Sequence, residues 1–395
     1  MTERERVLAA IRGEVTDRVP WVPRLDFWYR AALRKGTMPA EWRGLTVAEV
    51  AVRLGCGVYA TIPNFLIDDD HLVDHGLGLL HQPTLPYDSE LQGVERRMTK
   101  RRSRSGTETV VEYFTPLGNI RTAFLFTEQM LDAGASSPHI SEAAIKKTED
   151  FAPVGYIFEH LKVKPQTEGY LELRRMVGEN GVAVAFAPGT AGPVHHIMKV
   201  LMGFEPFYYA MADHPDEIGR LAEQMERFFR EVQQICVDAP AEVVHMGGNY
   251  DDSFTPPPFF RKHILPALKE FAERLHARGK YLLTHTDGES RRLIPLFLES
   301  NFDVADSICP YPMTQVTLEK FYEAFAGRIT IWGGIPALQL CPSSTDEASF
   351  RRYVDELLAR YGHSKGIVLG VSDMVTADAD LDCLRYLNDK ILALS

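Results

Sequence analysis

The run His285-Thr286-Asp287-Gly288 carries the sharpest chemistry in this chain. It follows an apolar stretch at 280–284, and residues two apart at a strand end can face the same way. A histidine beside a carboxylate can hold a divalent metal or form an oriented acid–base pair. The plainer alternative is that Asp287 caps the next helix while His285 bonds a backbone carbonyl. Similar groups sit at the ends of other short apolar stretches: His245, Asn249, Asp251 and Asp252 at 242–246, Asp306 and Cys309 after 302–305, Trp332 before Gly333-Gly334, and Ser372-Asp373 after 366–371. Asp251 and Asp252 can equally serve a loop, and His245 lies within an apolar run that suits a satisfied core histidine. Near the N-terminus, Arg24 and Asp26 cluster with Trp21, Phe27, Trp28 and Tyr29, which can line a pocket for a flat organic substrate or plug a core. The Pro/Gly loop 188–193 and the following His195-His196 are weaker candidates.

Elements that would position these groups alternate along the chain. A helix is expected over 3–13, an extended stretch over 19–23, and a helix opened by the capping box Thr46-Val-Ala-Glu49, ended at Gly55 and followed by a buried strand at 56–60. Residues 107–114 and 119–126 read as a β-hairpin around Thr115-Pro-Leu-Gly118, an excursion in a region that begins near residue 71. From about residue 150, strands expected at 182–186, 242–246, 280–284, 302–305, 328–332 and 366–371 alternate with amphipathic helices. Pro266 predicts a kink in the helix that follows Thr255. Short apolar strands separated by helices imply a parallel sheet covered by helices. The number of units favours a (β/α)8 TIM barrel, one domain over 1–395 with an N-terminal helical extension and the inserted hairpin. Its active site would lie at the carboxyl ends of the strands, where the polar groups concentrate.

Composition narrows the partners. Acids outnumber bases 54 to 43, for a net charge of −11. That argues against a nucleic-acid binder, which needs a basic footprint. No apolar run reaches the ~20 residues of a membrane span. Five scattered cysteines without a CxxC pair suit a cytoplasmic protein with reduced thiols. The basic run Arg96, Arg97, Lys100, Arg101, Arg102 and Arg104 reads as a solvated face, with docking of an acidic partner as the alternative.

Several of these motifs together resemble the uroporphyrinogen decarboxylase superfamily. They are Arg4-Glu-Arg-Val-Leu-Ala-Ala-Ile-Arg-Gly13 with Asp17-Arg-Val-Pro20, Gly192-Pro193 before Leu201-Met-Gly-Phe-Glu205, His276-Ala-Arg-Gly-Lys280 before His285-Thr-Asp-Gly288, and Trp332-Gly-Gly-Ile-Pro336. The resemblance implies the barrel and one of two chemistries: cofactor-free decarboxylation of a tetrapyrrole, or methyl transfer between a corrinoid and an acceptor, often with zinc. The decarboxylases carry an Arg-Gln-Ala-Gly-Arg stretch that grips substrate carboxylates; here the neighbourhood reads Pro23-Arg24-Leu-Asp26-Phe-Trp28-Tyr-Arg30. The zinc methyltransferases have His-x-Cys where this chain has His285-Thr286-Asp287, and a later cysteine where it has Ser372-Asp373.

The expectation is therefore a divergent member nearer the methyltransferase branch. His285, Asp287 and Asp373 would hold a divalent metal such as zinc. Asp287, Asp373 and Asp252 would serve catalysis, and Arg24, Trp28, His245, Asn249, Asp306 and Trp332 would contact a small methylated substrate. A corrinoid would come from a separate partner protein, and the resemblance implies a homodimer. The alternatives are a cofactor-free decarboxylase and a non-catalytic ligand-binding protein on the same fold.

Overall fold

The structure, a computed structural model, describes residues 1–62, 66 and 72–394. Six parallel strands form its central sheet, and six further strands make two small antiparallel sheets. In chain order these six are β1 (Tyr87–Leu91), β2 (Glu95–Ser103), β3 (Gly106–Thr115), β4 (Gly118–Thr127), β5 (His139–Glu142) and β6 (Leu161–Pro165). β1 pairs with β6, while β2-β3-β4-β5 make a four-stranded sheet. The expected hairpin is β3–β4, closing at Thr115↔Gly118. It is the middle of a larger sheet than expected, because the basic run before it is itself a strand, β2. Residue 71, where the region was expected to begin, lies outside the described residues.

The central sheet consists of β7 (Ala185–Phe186), β8 (Val243–Gly248), β9 (Tyr281–His285), β10 (Val304–Ile308), β11 (Thr330–Ile335) and β12 (Ile367–Val371), in the spatial order β12-β11-β10-β9-β8-β7. Every residue of β8, β10, β11 and β12 is buried, as expected of parallel strands with both faces covered. Two extended segments continue beyond the sheet's edges. Val22 N–H donates to Leu369 O at 2.8 Å and Leu369 N–H to Pro20 O at 2.9 Å, so the first segment flanks β12. Gly57 N–H then donates to Trp21 O, Val58 N–H to Asn180 O and Val184 N–H to Ala60 O, which carries the pairing across to the chain entering β7.

Helices pack outside the sheet. The helix Pro215–Asp238 buries Ile218, Leu221, Met225, Phe228, Phe229 and Val232 along one stripe. Helix Val47–Leu54 carries the Thr46–Glu49 capping box and ends at Gly55, whose φ of 89° is left-handed. The kink expected at Pro266 is met by a π-turn, Phe260–Ile264, just before it; the wider turn accommodates a residue with no N–H to give. Helix Glu3–Ile11 sends Val7, Leu8, Ala10 and Ile11 into a cluster with Val184, Val243, Leu283, Val304, Trp332 and Val368, near the strand starts. Among the described residues, no helix is long and apolar enough to cross a membrane.

Candidate active site

At the carboxyl ends of these strands lies a cleft of about 420 Å³. Phe27, Leu72, Leu80, Ile140, Phe186 and Val200 give it apolar walls, and Arg24, His245, Asn249, His285, Asp373 and Lys199 supply its polar groups. Its centre is built by strand register. His285, the last residue of β9, pairs directly with Asp306 of β10. That places His285 Nδ1 2.9 Å from Asp306 Oδ2. Asp306 is fully buried, and both its oxygens accept from the Tyr59 hydroxyl, at 2.8 and 2.7 Å. On the other side, His285 Nε2 lies 3.3 Å from Asp373 Oδ1. The same oxygen accepts from Arg24 Nη1 at 2.9 Å, and Arg24 Nε donates to Asp26 at 2.8 Å. A chain of contacts thus runs Tyr59–Asp306–His285–Asp373–Arg24–Asp26.

Backbone geometry aims these groups. Asn249, Ser307 and Ser372 all have positive φ (59°, 63° and 33°), at or near the ends of β8, β10 and β12. Such conformations are costly for residues with a Cβ and concentrate at functional sites. Ser372 turns the chain so that Asp373 enters the mouth. Gly333, at φ 127°, would place a Cβ within 3.0 Å of Ile308 backbone atoms; only glycine lets β11 pass the bulge that interrupts β10 between Asp306 and Ile308.

The charges follow from these contacts. Burial works to lower the His285 pKa, but hydrogen bonds and charge from Asp306 and Asp373 outweigh it and raise the value to about 10. Burial would raise Asp373, yet Arg24 and His285 hold it well below the usual carboxylate range. His285 is therefore an imidazolium, and Asp373 a carboxylate, throughout the neutral range. His245 behaves oppositely: burial lowers it to about 4. Its Nε2 lies 2.8 Å from Gly247 O, its ring stacks near that of His285 with centroids 6.5 Å apart, and it stays neutral. Lys199, half-buried, donates to Asn249 Oδ1 at 2.7 Å and to Gly248 O at 3.0 Å; burial lowers its pKa to about 8 against the pull of Asp287.

Of the residues expected from sequence, Arg24, His245, Asn249, His285 and Asp373 line the cleft, with Asp306 directly behind His285. Others go elsewhere. Asp287 accepts from Cys309 Sγ at 3.2 Å and from Asn249 Nδ2 at 3.4 Å, and does not join the His285–Asp373 pair. Asp252 bonds the Arg292 backbone N–H and guanidinium, each at 3.0 Å, which makes it a loop brace and not a cleft residue. Trp28 packs edge-on against Trp42 in the core, while its neighbour Phe27 faces the cleft, since successive helical residues point about 100° apart. Trp332 lies within β11, donates Nε1–H to Val22 O and meets Tyr59 edge-on in the interior. We expect Asp252→Asn to lower the melting temperature while leaving ligand binding in the cleft unchanged, as calorimetry would read.

The residues expected to hold a metal are paired in another way. Both nitrogens of His285 face carboxylates, and Asp373 is already held by Arg24, so the set lacks a free lone pair on imidazole and a convergent third ligand. Among the described residues, no group of three or more His, Cys, Asp or Glu is arranged to hold a metal ion. Cys309 is a protonated thiol here: burial first, and Asp287 second, push its pKa up. In the native chain, iodoacetamide should label the partly exposed Cys383 before Cys309, as peptide mass spectrometry would show.

Sequence reading missed Tyr59 and Lys199, while Phe27, read as one of an aromatic cluster that can line a pocket, does line the cleft. Tyr59 had a signal, as a polar-tipped residue ending a buried strand; Lys199 lies among apolar helix residues and had none.

Comparison with known proteins agrees with this architecture. A solved methyltransferase from Methanosarcina mazei is similar in structure, with a TM-score of 0.53 over 99% of both chains at 16% sequence identity, a likeness of fold. No curated protein matches the chain. The family model described as uroporphyrinogen decarboxylase (URO-D) matches residues 133–391, and the chain belongs to that family.

Proposed function

We propose that this chain is a single-domain (β/α)8 methyltransferase or demethylase of the URO-D family, in which His285 and Asp373 manage the proton at the atom that loses its methyl group. Support for an eight-membered ring comes from the segments 19–22 and 56–60, which extend the hydrogen bonding of the six strands from β12 round to the chain before β7. One observation carries the reaction: an imidazolium held between two carboxylates on the wall of a mostly apolar cleft.

The 2.9 Å contact to Asp306 anchors the ring through Nδ1. The longer 3.3 Å contact leaves the Nε2 proton able to turn to a substrate oxygen in the cleft. Asp306 and Asp373 keep His285 protonated, so it can give a proton to a leaving phenolate oxygen. An aryl methyl ether suits both the apolar walls and this acid. The methyl–oxygen bond breaks with its electron pair staying on oxygen, which takes the His285 proton. The methyl carbon receives a new pair from a nucleophilic acceptor. A corrinoid carried by a partner protein would supply that nucleophile when bound over the cleft. Asp373 and Arg24 hold the imidazolium edge in place, and Phe27 and Phe186 give the ring faces to pack against.

A second reading is favoured by Arg24 and Lys199, two cations in the same cleft. A substrate carboxylate held there could leave as CO2, with His285 protonating the carbanion. Incubating the chain with methoxybenzoates and free reduced cobalamin as acceptor separates the two. Phenol formation supports methyl transfer; CO2 release without cobalamin supports the lyase and rejects the first reading.

A further inference from the structure

Among the described residues, strand β2 is the terminal strand of its sheet, and all nine of its residues are exposed. Segment 95–104 carries six cations (Arg96, Arg97, Lys100, Arg101, Arg102 and Arg104) against one acid, Glu95, on a chain whose total charge is −11. Some of that charge is balanced locally. Arg96 bonds the buried Asp74, Arg97 lies 3.9 Å from Glu95, and Arg97 and Arg101 stand opposite Glu112 and Glu108 in the ladder. Lys100 and Arg102 stand opposite Thr109 and Thr107, on the face that also carries the exposed Met98.

We propose that β2 is a docking edge for an extended acidic segment of a partner protein, which adds to the sheet as a fifth strand. A terminal strand offers backbone donors and acceptors at peptide spacing, which another extended peptide satisfies. The cations select the sign of that peptide. A second copy of β2 is disfavoured, because two such edges would set cations against cations. A nucleic acid could use the charge but not the backbone edge, and would meet the net-acidic remainder of the chain. At about 4.8 Å per strand, β2 lies roughly 14 Å from β5, whose Ile140 lines the cleft. A segment bound at β2 therefore sits close to the mouth. This surface does not depend on which reaction the cleft performs.

The test uses the full chain and a fluorescent strand-length peptide of alternating glutamate and valine, followed by anisotropy at low salt and at about 0.15 M. We expect binding that weakens with salt, and about tenfold weaker binding when alternate backbone nitrogens of the probe are methylated. The double substitution Lys100→Glu with Arg102→Glu should weaken it similarly, with circular dichroism confirming the fold. The N-methylated probe needs no altered protein, so misfolding cannot imitate its result. Equal binding of the methylated probe would overturn strand addition. Equally tight binding of oligothymidylate of the same charge would point to a general polyanion surface and overturn the proposal, as would no binding. None of these results bears on His285 and Asp373.

Discussion

Asp306→Ala should destabilise the fold by about 3–5 kcal/mol, the usual cost of removing one partner from a buried ion pair. The loss leaves the Tyr59 hydroxyl without its acceptor and the His285 ring without its anchor in a fully buried place. Asp306→Asn keeps the volume and separates charge from packing. In that variant the His285 pKa, about 10 in the parent, should fall markedly, because burial then opposes the charge with Asp373 alone on the other side. Histidine titration by NMR reads this directly, and an unchanged pKa would show that Asp306 is not what holds the proton. A stability profile gives the same information. The folded pKa of His285 lies above its unfolded value of 6.5, so its contribution is complete below about 6.5 and is lost as pH rises towards 10. Asp373 has the opposite sign: its folded pKa is depressed, so its contribution is present above its ordinary value of 3.8 and is lost as pH falls below it. In Asp306→Asn the alkaline loss should flatten, while the acid limb persists.

His285→Ala should reduce turnover by about 10²–10⁴-fold, the range general acid catalysis supplies. The effect should fall on kcat more than on KM, since the apolar walls that hold the substrate remain. His285→Gln tests the role further. It keeps a donor near Asp373 but no proton to give, so it should retain binding and lack turnover. Full activity in both variants would reject the proposed acid, whichever group is transferred. Substrates with electron-withdrawn leaving groups should be least affected, because a better leaving oxygen needs less protonation.

How much of this was readable beforehand depended on the range of the cause. Alternation of short apolar runs with amphipathic helices located every strand of the central sheet, since period and burial are properties of neighbouring residues. The Thr46–Glu49 cap and the Thr115–Gly118 turn were equally local. Strand β2 was not legible, because a mostly charged strand has no apolar alternation and its pairing with β3 is a tertiary fact. The ends of β8, β10 and β11 were placed two or three residues early, and the error mattered: Asp306 and Trp332 lie inside their strands, so one backs His285 and the other sits in the core.

The sequence by itself determined a parallel α/β sheet covered by helices and the rim on which polar groups gather, and it placed His285 and Asp373 at that rim. Tertiary structure alone decided which carboxylate each ring nitrogen meets. That choice rests on the β9–β10 register, on the positive φ at Ser372, and on Arg24 and Tyr59 arriving from 349 and 247 residues away in sequence. A His-x-Asp spacing suggests that the two side chains share a target; register and backbone handedness sent Asp287 to Cys309 and gave its expected place to Asp306.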